Sequence, residues 1–274
     1  MQNFVFRDSN LDLNNTQKYS LSIQADLDGF SFVIRQKENG IIKNIYSETF
    51  TLSNTGVLVK KIHELLDENQ LTNGNFSEVQ IFIPGYFPTL FAEDFSHEKD
   101  IRNFLLDKKY VKNRNRTVCQ ASVLPGYQLG WLIDSLLKQA FNDLYPEAKF
   151  RHYVVPMFQY FQQQHLTEEF DWHCYITDKE VYFTRFNNGQ VVFFNGYLCP
   201  SESDILYYLL AVTKISGFKK ARINVYGQKK RSEFLLKNCQ EFGLQADYHH
   251  PKPNVQAQAF FSRDIPCRVF PLLI

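Results

Sequence analysis

Two carboxylates and a glycine stand close together in Asp26-Leu27-Asp28-Gly29-Phe30-Ser31. A hydroxyl and a carboxylate, Thr177-Asp178, recur in a comparable setting further along, and Gly227 closes a later apolar run. Paired carboxylates on a tight turn can hold a divalent cation. Aspartate in a turn also bonds nearby backbone N–H groups, and that turn role is the reading adopted for Asp26 and Asp28. His249-His250 could ligate a metal, but no further side chain completes a ligand set beside them. His173 and Cys174 are neighbours on one strand, so they point to opposite faces and cannot act on each other as a dyad. No serine or cysteine lies in a GxSxG-like elbow. Neither a catalytic set nor a metal site is therefore expected.

Two other stretches could serve binding. Lys108, Lys109, Lys112, Arg114 and Arg116 form the one basic run, and such charge can meet nucleic-acid phosphate. The interleaved Asn113 and Asn115 suit a solvated turn, which is the favoured reading. Pro84-Gly85-Tyr86-Phe87-Pro88-Thr89-Leu90-Phe91 is the densest aromatic cluster. It reads equally as a protein-docking surface or as loop residues tucked onto the core.

The whole chain narrows the choice. It has 274 residues, enough for one large domain or two smaller ones, and a formal net charge of +1. That balance gives no global attraction to nucleic acid or an anionic membrane. Aromatic residues make up 16% of it while methionine is scarce, so cores can be built from rings. The 5 cysteines are odd in number, widely spread and lack a CxxC pair. Reduced thiols in a cytoplasmic protein fit that usage. The N-terminus lacks a secretory pattern, and no window reaches the ~18 apolar residues that span a bilayer.

The elements that must position these residues show in the hydrophobic period. Ser20–Glu48 alternates as three short strands, with turns at Asp26–Gly29 and Glu38-Asn39-Gly40. Leu58, Ile62, Leu65 and Leu66 fall at helical spacing after candidate caps Ser53, Asn54 and Thr55. Val79–Pro84 is a buried strand. Asp171–Gly196 repeats the three-strand meander, Ser201–Ile215 the helix and Ala221–Tyr226 the strand, so both halves read β-β-β-α-β. Residues 1–19 read as an irregular arm with at most one short strand. Between the copies, His97–Leu106 reads as a helix, Val118–Leu124 as a strand, Tyr127–Leu144 as an amphipathic helix, Phe150–Val155 as a strand and Met157–Leu166 as a helix. Ser232–Phe242 is a helix stopped by Gly243. The apolar end Cys267–Ile274 is a final strand or packs on the body.

A duplicated unit of this kind resembles the superfamily of actin, the sugar kinases and the large heat-shock chaperones. The order of elements from residue 127 to 166 is similar to its pilus-assembly branch. More closely, Ser20-Leu-Ser-Ile-Gln-Ala-Asp-Leu-Asp-Gly-Phe-Ser-Phe32 and the overall length resemble a Bacteroidota family of unknown function with an actin-like ATPase fold. The resemblance spans residues 18–245. It implies an α/β fold of two duplicated β-β-β-α-β-α, ribonuclease H-like lobes with mixed sheets, bounded at 1–168 and 169–274.

In active members of that superfamily both first hairpins carry Asp-x-Gly-Thr/Ser, whose glycine lets backbone curl around phosphate while the aspartate orients Mg²⁺ or water. Carried over, the nucleotide positions are Asp26, Asp28, Gly29, Ser31, Thr177, Asp178 and Gly227. The departures are plain. Leu27 stands where the motif wants aspartate, Phe30 replaces the small hydroxyl residue, and Ile176-Thr177-Asp178-Lys179 has no glycine. Val225-Tyr226-Gly227-Gln228 keeps one glycine of the pair that adenosine lies against. The resemblance thus implies a fold without ATP turnover and no resident cofactor, working as a binding or assembly module for a protein partner or a second copy of itself. An ATP–Mg²⁺ switch using the first hairpin, and RNA binding through Lys108–Arg116, are the alternatives.

Overall fold

The computed structural model describes residues 3–72, 74–95, 97–106, 115–164, 172–215, 222–250 and 266–274. The chain divides into two units, one of Met1–Pro156 with Pro253–Ile274, the other of Met157–Lys252.

The first unit is built on a six-stranded sheet. The meander β2 (Tyr19–Asp26), β3 (Gly29–Gln36) and β4 (Ile42–Thr49) is antiparallel. Helix α1 (Thr55–Glu68) crosses back so that β5 (Glu78–Phe82) lies parallel to β2. Asn54 is the cap, its side chain accepting from the Val57 N–H at 3.1 Å. The arm before β2 does supply a strand, β1 (Asn3–Arg7), which pairs with β4. The other edge is β9 (Lys149–Arg151), giving the order β1-β4-β3-β2-β5-β9.

Because register partners share a face and alternate residues swap faces, this sheet has two unlike sides. Leu21, Ile23, Ala25, Phe30, Phe32 and Ile34 are all fully buried on one side. Lys61 of α1 reaches Glu48 on that same side at 3.8 Å, which places the helix there. The opposite side carries Ser20, Ser22, Gln24, Asp26, Ser31, Ser47 and Arg35. The C-terminal segment packs on β2 and β3. It is helical rather than extended: a 3-10 turn at Cys267–Val269 runs into the one-turn helix α7 (Phe270–Leu273), burying Val269, Phe270, Leu272 and Leu273.

Between β5 and β9 the chain inserts a second, three-stranded sheet in the order β6-β8-β7. Its strands are β6 (Tyr86–Ala92), β7 (Arg116–Leu124) and β8 (Tyr127–Asp134), with α2 (Glu98–Leu106) packed on β7 and β8. Here the expected helix over 127–144 is corrected: its first half is β8 and only Ser135–Leu144 is helical, as α3. Leu129, Trp131 and Ile133 follow a period of two, whereas Leu129, Leu132, Ile133 and Leu136 fall at helical spacing. Gly126 at φ +80° makes the hairpin turn. The Asp134 carboxylate accepts from the Leu136 N–H at 3.0 Å and starts the helix there. Helix α4 (Val154–Gln164) likewise begins earlier than its spacing suggested, and β9 is correspondingly short.

The second unit repeats the scheme. Strands β10 (Trp172–Ile176), β11 (Glu180–Asn187) and β12 (Gln190–Leu198) form the meander, α5 (Glu202–Ile215) crosses back, and β13 (Arg222–Gly227) lies parallel to β10. Helix α6 (Lys229–Cys239) leads to β14 (Gln245–Tyr248), so the order β12-β11-β10-β13-β14 matches β4-β3-β2-β5-β9. One face is a core of Trp172, Cys174, Val181, Phe183, Ile223 and Val225 under the buried faces of α5 and α6. The other is aromatic and polar. His173 stacks on Phe161 of α4 with ring centroids 4.4 Å apart, and Tyr226 lies 4.9 Å from the same ring.

Candidate functional site

The sequence points to two hairpins, one in each unit. In the first, the Asp26 carboxylate accepts the Leu27 N–H at 2.7 Å, the local bond expected of an aspartate in a turn. The chain leaving β4 folds over the same turn. The Phe50 N–H donates to the Asp28 carbonyl at 3.2 Å and the Leu52 N–H to the Leu27 carbonyl at 2.8 Å. Ser31 bonds Ser47 at 2.8 Å inside the sheet, both fully buried.

What lies over the turn is an arginine from the far end of the chain. The Arg268 guanidinium donates to the Asp28 carboxylate at 2.9 Å and sits 3.5 Å from the Glu48 carbonyl. A Cβ built on Gly29 would fall 1.4 Å from an Arg268 terminal nitrogen and 2.6 Å from the Glu48 carbonyl oxygen. The bare face of Gly29 is the seat of a guanidinium. Further along β3 the relation reverses: Arg35 of the sheet donates to the Leu272 carbonyl of the segment. Burial pulls the Arg35 pKa down to about 10.

The second hairpin is closed in its own way. The Thr177 hydroxyl accepts the Glu180 N–H at 3.0 Å and bridges the turn. Asp178 accepts from the Gln228 amide at 2.8 Å. Arg231, on the first turn of α6 and only 7% exposed, donates to the Thr177 carbonyl at 2.7 Å, to the Cys199 carbonyl, and to the Ser201 carbonyl at 3.3 Å. In both units an arginine ties the first hairpin to the exit of the third strand.

Gly227 has a backbone reason of its own. Its φ is +99°, and a Cβ there would lie 2.0 Å from the Ile176 carbonyl oxygen. The next N–H, of Gln228, donates to that oxygen at 2.8 Å, and Tyr248 caps the Gly227 carbonyl at 2.8 Å. The glycine lets β13 end against β10.

Anion cradles work by aiming unspent N–H groups at one point. At these turns the Leu27 and Glu180 amides serve their own turns' side chains, and both arginines donate to protein oxygens.

The other candidates fall as follows. Arg116 approaches Asp134 at 3.7 Å; Lys108, Lys109, Lys112 and Arg114 lie outside the described residues. Cys174 is fully buried, and burial drives its thiol pKa well up, helped by Cys239 and Cys199 nearby. The His249 ring sits 5.6 Å from Tyr226 and His250 5.0 Å from Tyr248. Among the described residues no group of three or more His, Cys, Asp or Glu could hold a metal ion, and no helix is long and apolar enough to cross a membrane. In the aromatic stretch Phe91 is buried against Ile101, Leu105 and Val118. An open depression of about 600 Å³ lies at the other end of the first sheet, where Ser20, Arg35, Glu78 and Lys149 gather. Sequence reasoning did not place Arg231 or Arg268 at these hairpins. Arg268 meets a residue 240 positions away, and nothing in its neighbours announces that.

Comparison with known structures gives the class first. A protein of unknown function with an actin-like ATPase fold from Bacteroides thetaiotaomicron superposes with a TM-score of 0.80 at 22% identity, covering 93% of this chain and 99% of that one. The PilM–PilN type IV pilus biogenesis complex matches with a TM-score of 0.53 at 8% identity, covering 85% and 88%. The fold is that of the actin-like ATPases. The chain belongs to the family described as protein of unknown function (DUF3822), whose model matches residues 8–243. No curated protein matches it significantly.

Proposed function

We propose that this chain is a non-catalytic actin-like-fold module that binds a protein partner or a second copy of itself in the cytoplasm. The observation that supports this most is Arg268 on the bare face of Gly29, paired with Asp28. A triphosphate lodged there would have to displace a bound cation while meeting the Asp28 carboxylate. Arg231 supports the same reading in the other unit, since its donors serve three carbonyls. A protein of this fold that partners another protein is known in the PilM–PilN complex.

Calorimetric titration with ATP, ADP and Mg²⁺ is expected to give no binding heat. Micromolar binding would replace this reading with the nucleotide switch, in which Asp26, Asp28, Gly29, Ser31, Thr177, Asp178 and Gly227 hold the ligand. A gel shift that weakens with salt and with removal of the charges in Lys108–Arg116 would replace it with RNA binding.

A further inference from the structure

The C-terminal segment sits on the polar side of the first sheet, and the two are matched in an uncommon way. Its apolar residues Val269, Phe270, Leu272 and Leu273 are buried. The sheet face beneath offers Ser20, Ser22, Gln24, Ser31 and Ser47 together with Val33 and Ile45. Covering small polar side chains yields far less than covering an aliphatic core. The Gln24 side-chain oxygen is buried with no hydrogen bond among the described residues, which subtracts further. Two guanidinium contacts hold the ends, Arg268 on Asp28 and Arg35 on the Leu272 carbonyl. Docking of this kind, polar beneath and charge-fixed at the ends, belongs to a ligand in a groove more than to a core.

We infer that this face of the first unit is a peptide-binding groove for an arginine followed by apolar residues, filled at rest by the chain's own segment Pro266–Ile274. Asp28, the Glu48 carbonyl and the flat face of Gly29 form the guanidinium seat. Gly29 is required because any side chain would occupy that seat. The hairpin has thereby reversed the charge of its ligand: it takes a cation where the superfamily motif takes a phosphate. A partner whose peptide offers the same arginine and apolar pattern competes with the segment and releases it. This rests on the reading of the chain as a binding module and names the site through which it would bind.

Cys267, next to Arg268, is the one cysteine of the five that is not buried, so its reaction with a thiol reagent reports on the segment in the full chain. The four buried cysteines report on global unfolding in the same experiment. Arg268→Ala is expected to speed labelling of Cys267 about tenfold while the other four stay protected, as loss of one charge-assisted bond would do. Asp28→Asn should act in the same direction, and it decides the matter if Arg268→Ala exposes all five thiols. A synthetic peptide of residues 266–274, its cysteine replaced by serine, should speed labelling of the wild-type chain, and the same peptide with alanine for its arginine should not. Unchanged Cys267 rates in the folded variants, or indifference to the arginine peptide at millimolar concentration, would overturn the groove. No nucleotide enters these measurements, so their failure leaves the binding-module reading to be judged by calorimetry.

Discussion

The two hairpins occupy equivalent places in two like-built units, and each is tied down by an arginine, but the arginines differ in kind. Arg231 lies on a helix of its own unit and spends its donors on the backbone carbonyls of Thr177, Cys199 and Ser201. Arg268 arrives from the chain terminus and pairs with a carboxylate, Asp28. The first is structural cement, since removing it strands buried carbonyls. The second joins a segment to a surface and can be undone at modest cost. One hairpin is thus tied by an arginine of its own unit's helix, the other by an arginine of the C-terminal segment.

The glycines sharpen the contrast and carry the largest predicted effect. A Cβ at Gly227 meets only the Ile176 backbone, at 2.0 Å and with φ at +99°, while one at Gly29 meets the end of the Arg268 side chain and, at 2.6 Å, the Glu48 carbonyl oxygen. Gly227→Ala should cost about 4 kcal/mol, because backbone cannot yield and φ is unfavourable as well. Denaturant unfolding measures it. Equal losses at Gly29 and Gly227 would end the distinction. Arg231→Met should cost about 3 kcal/mol by the same measurement. Arg268→Met should cost about 1 kcal/mol, since Asp28 keeps some solvent.

Acid offers a further difference. His152 of the first unit is fully buried, accepts the Val154 N–H through Nδ1 at 3.2 Å, and is held by burial to a pKa of about 3. The unfolded chain protonates this imidazole below its ordinary value while the folded chain does not. Its contribution is therefore complete above about pH 6.5 and lost as pH falls toward 3. Between pH 7 and 4 that amounts to about 3 kcal/mol, visible as a falling urea midpoint. His152→Phe should flatten that limb, and an unchanged slope would reject the assignment.

The repeat was legible in the sequence because period-two strands and their turns are local. Leu21, Ile23, Phe30 and Phe32 announce the first meander, and Trp172 to Tyr197 the second. The segment 127–144 was not, because Leu129, Leu132, Ile133 and Leu136 fall at helical spacing while Leu129, Trp131 and Ile133 alternate as a strand does. Only the pairing with β7 and the Asp134 cap decide between them. At the site, Asp28 and Gly29 stood out by type, yet the residue that gives them meaning lies in a segment whose sequence shows only apolar bulk. Long-range ion pairs leave no periodic trace. Gly227 stands out in the sequence as the one glycine kept of an adenosine-facing pair, while its neighbour in space is a carbonyl of β10.

The most direct test is equilibrium binding of Mg²⁺-ATP to the wild-type chain and to Arg268→Ala in parallel. Neither is expected to bind at millimolar nucleotide, because the Leu27 amide stays bonded to the Asp26 carboxylate and Leu27 still stands in place of a motif aspartate when the arginine is gone. Micromolar affinity in either protein would contradict this account.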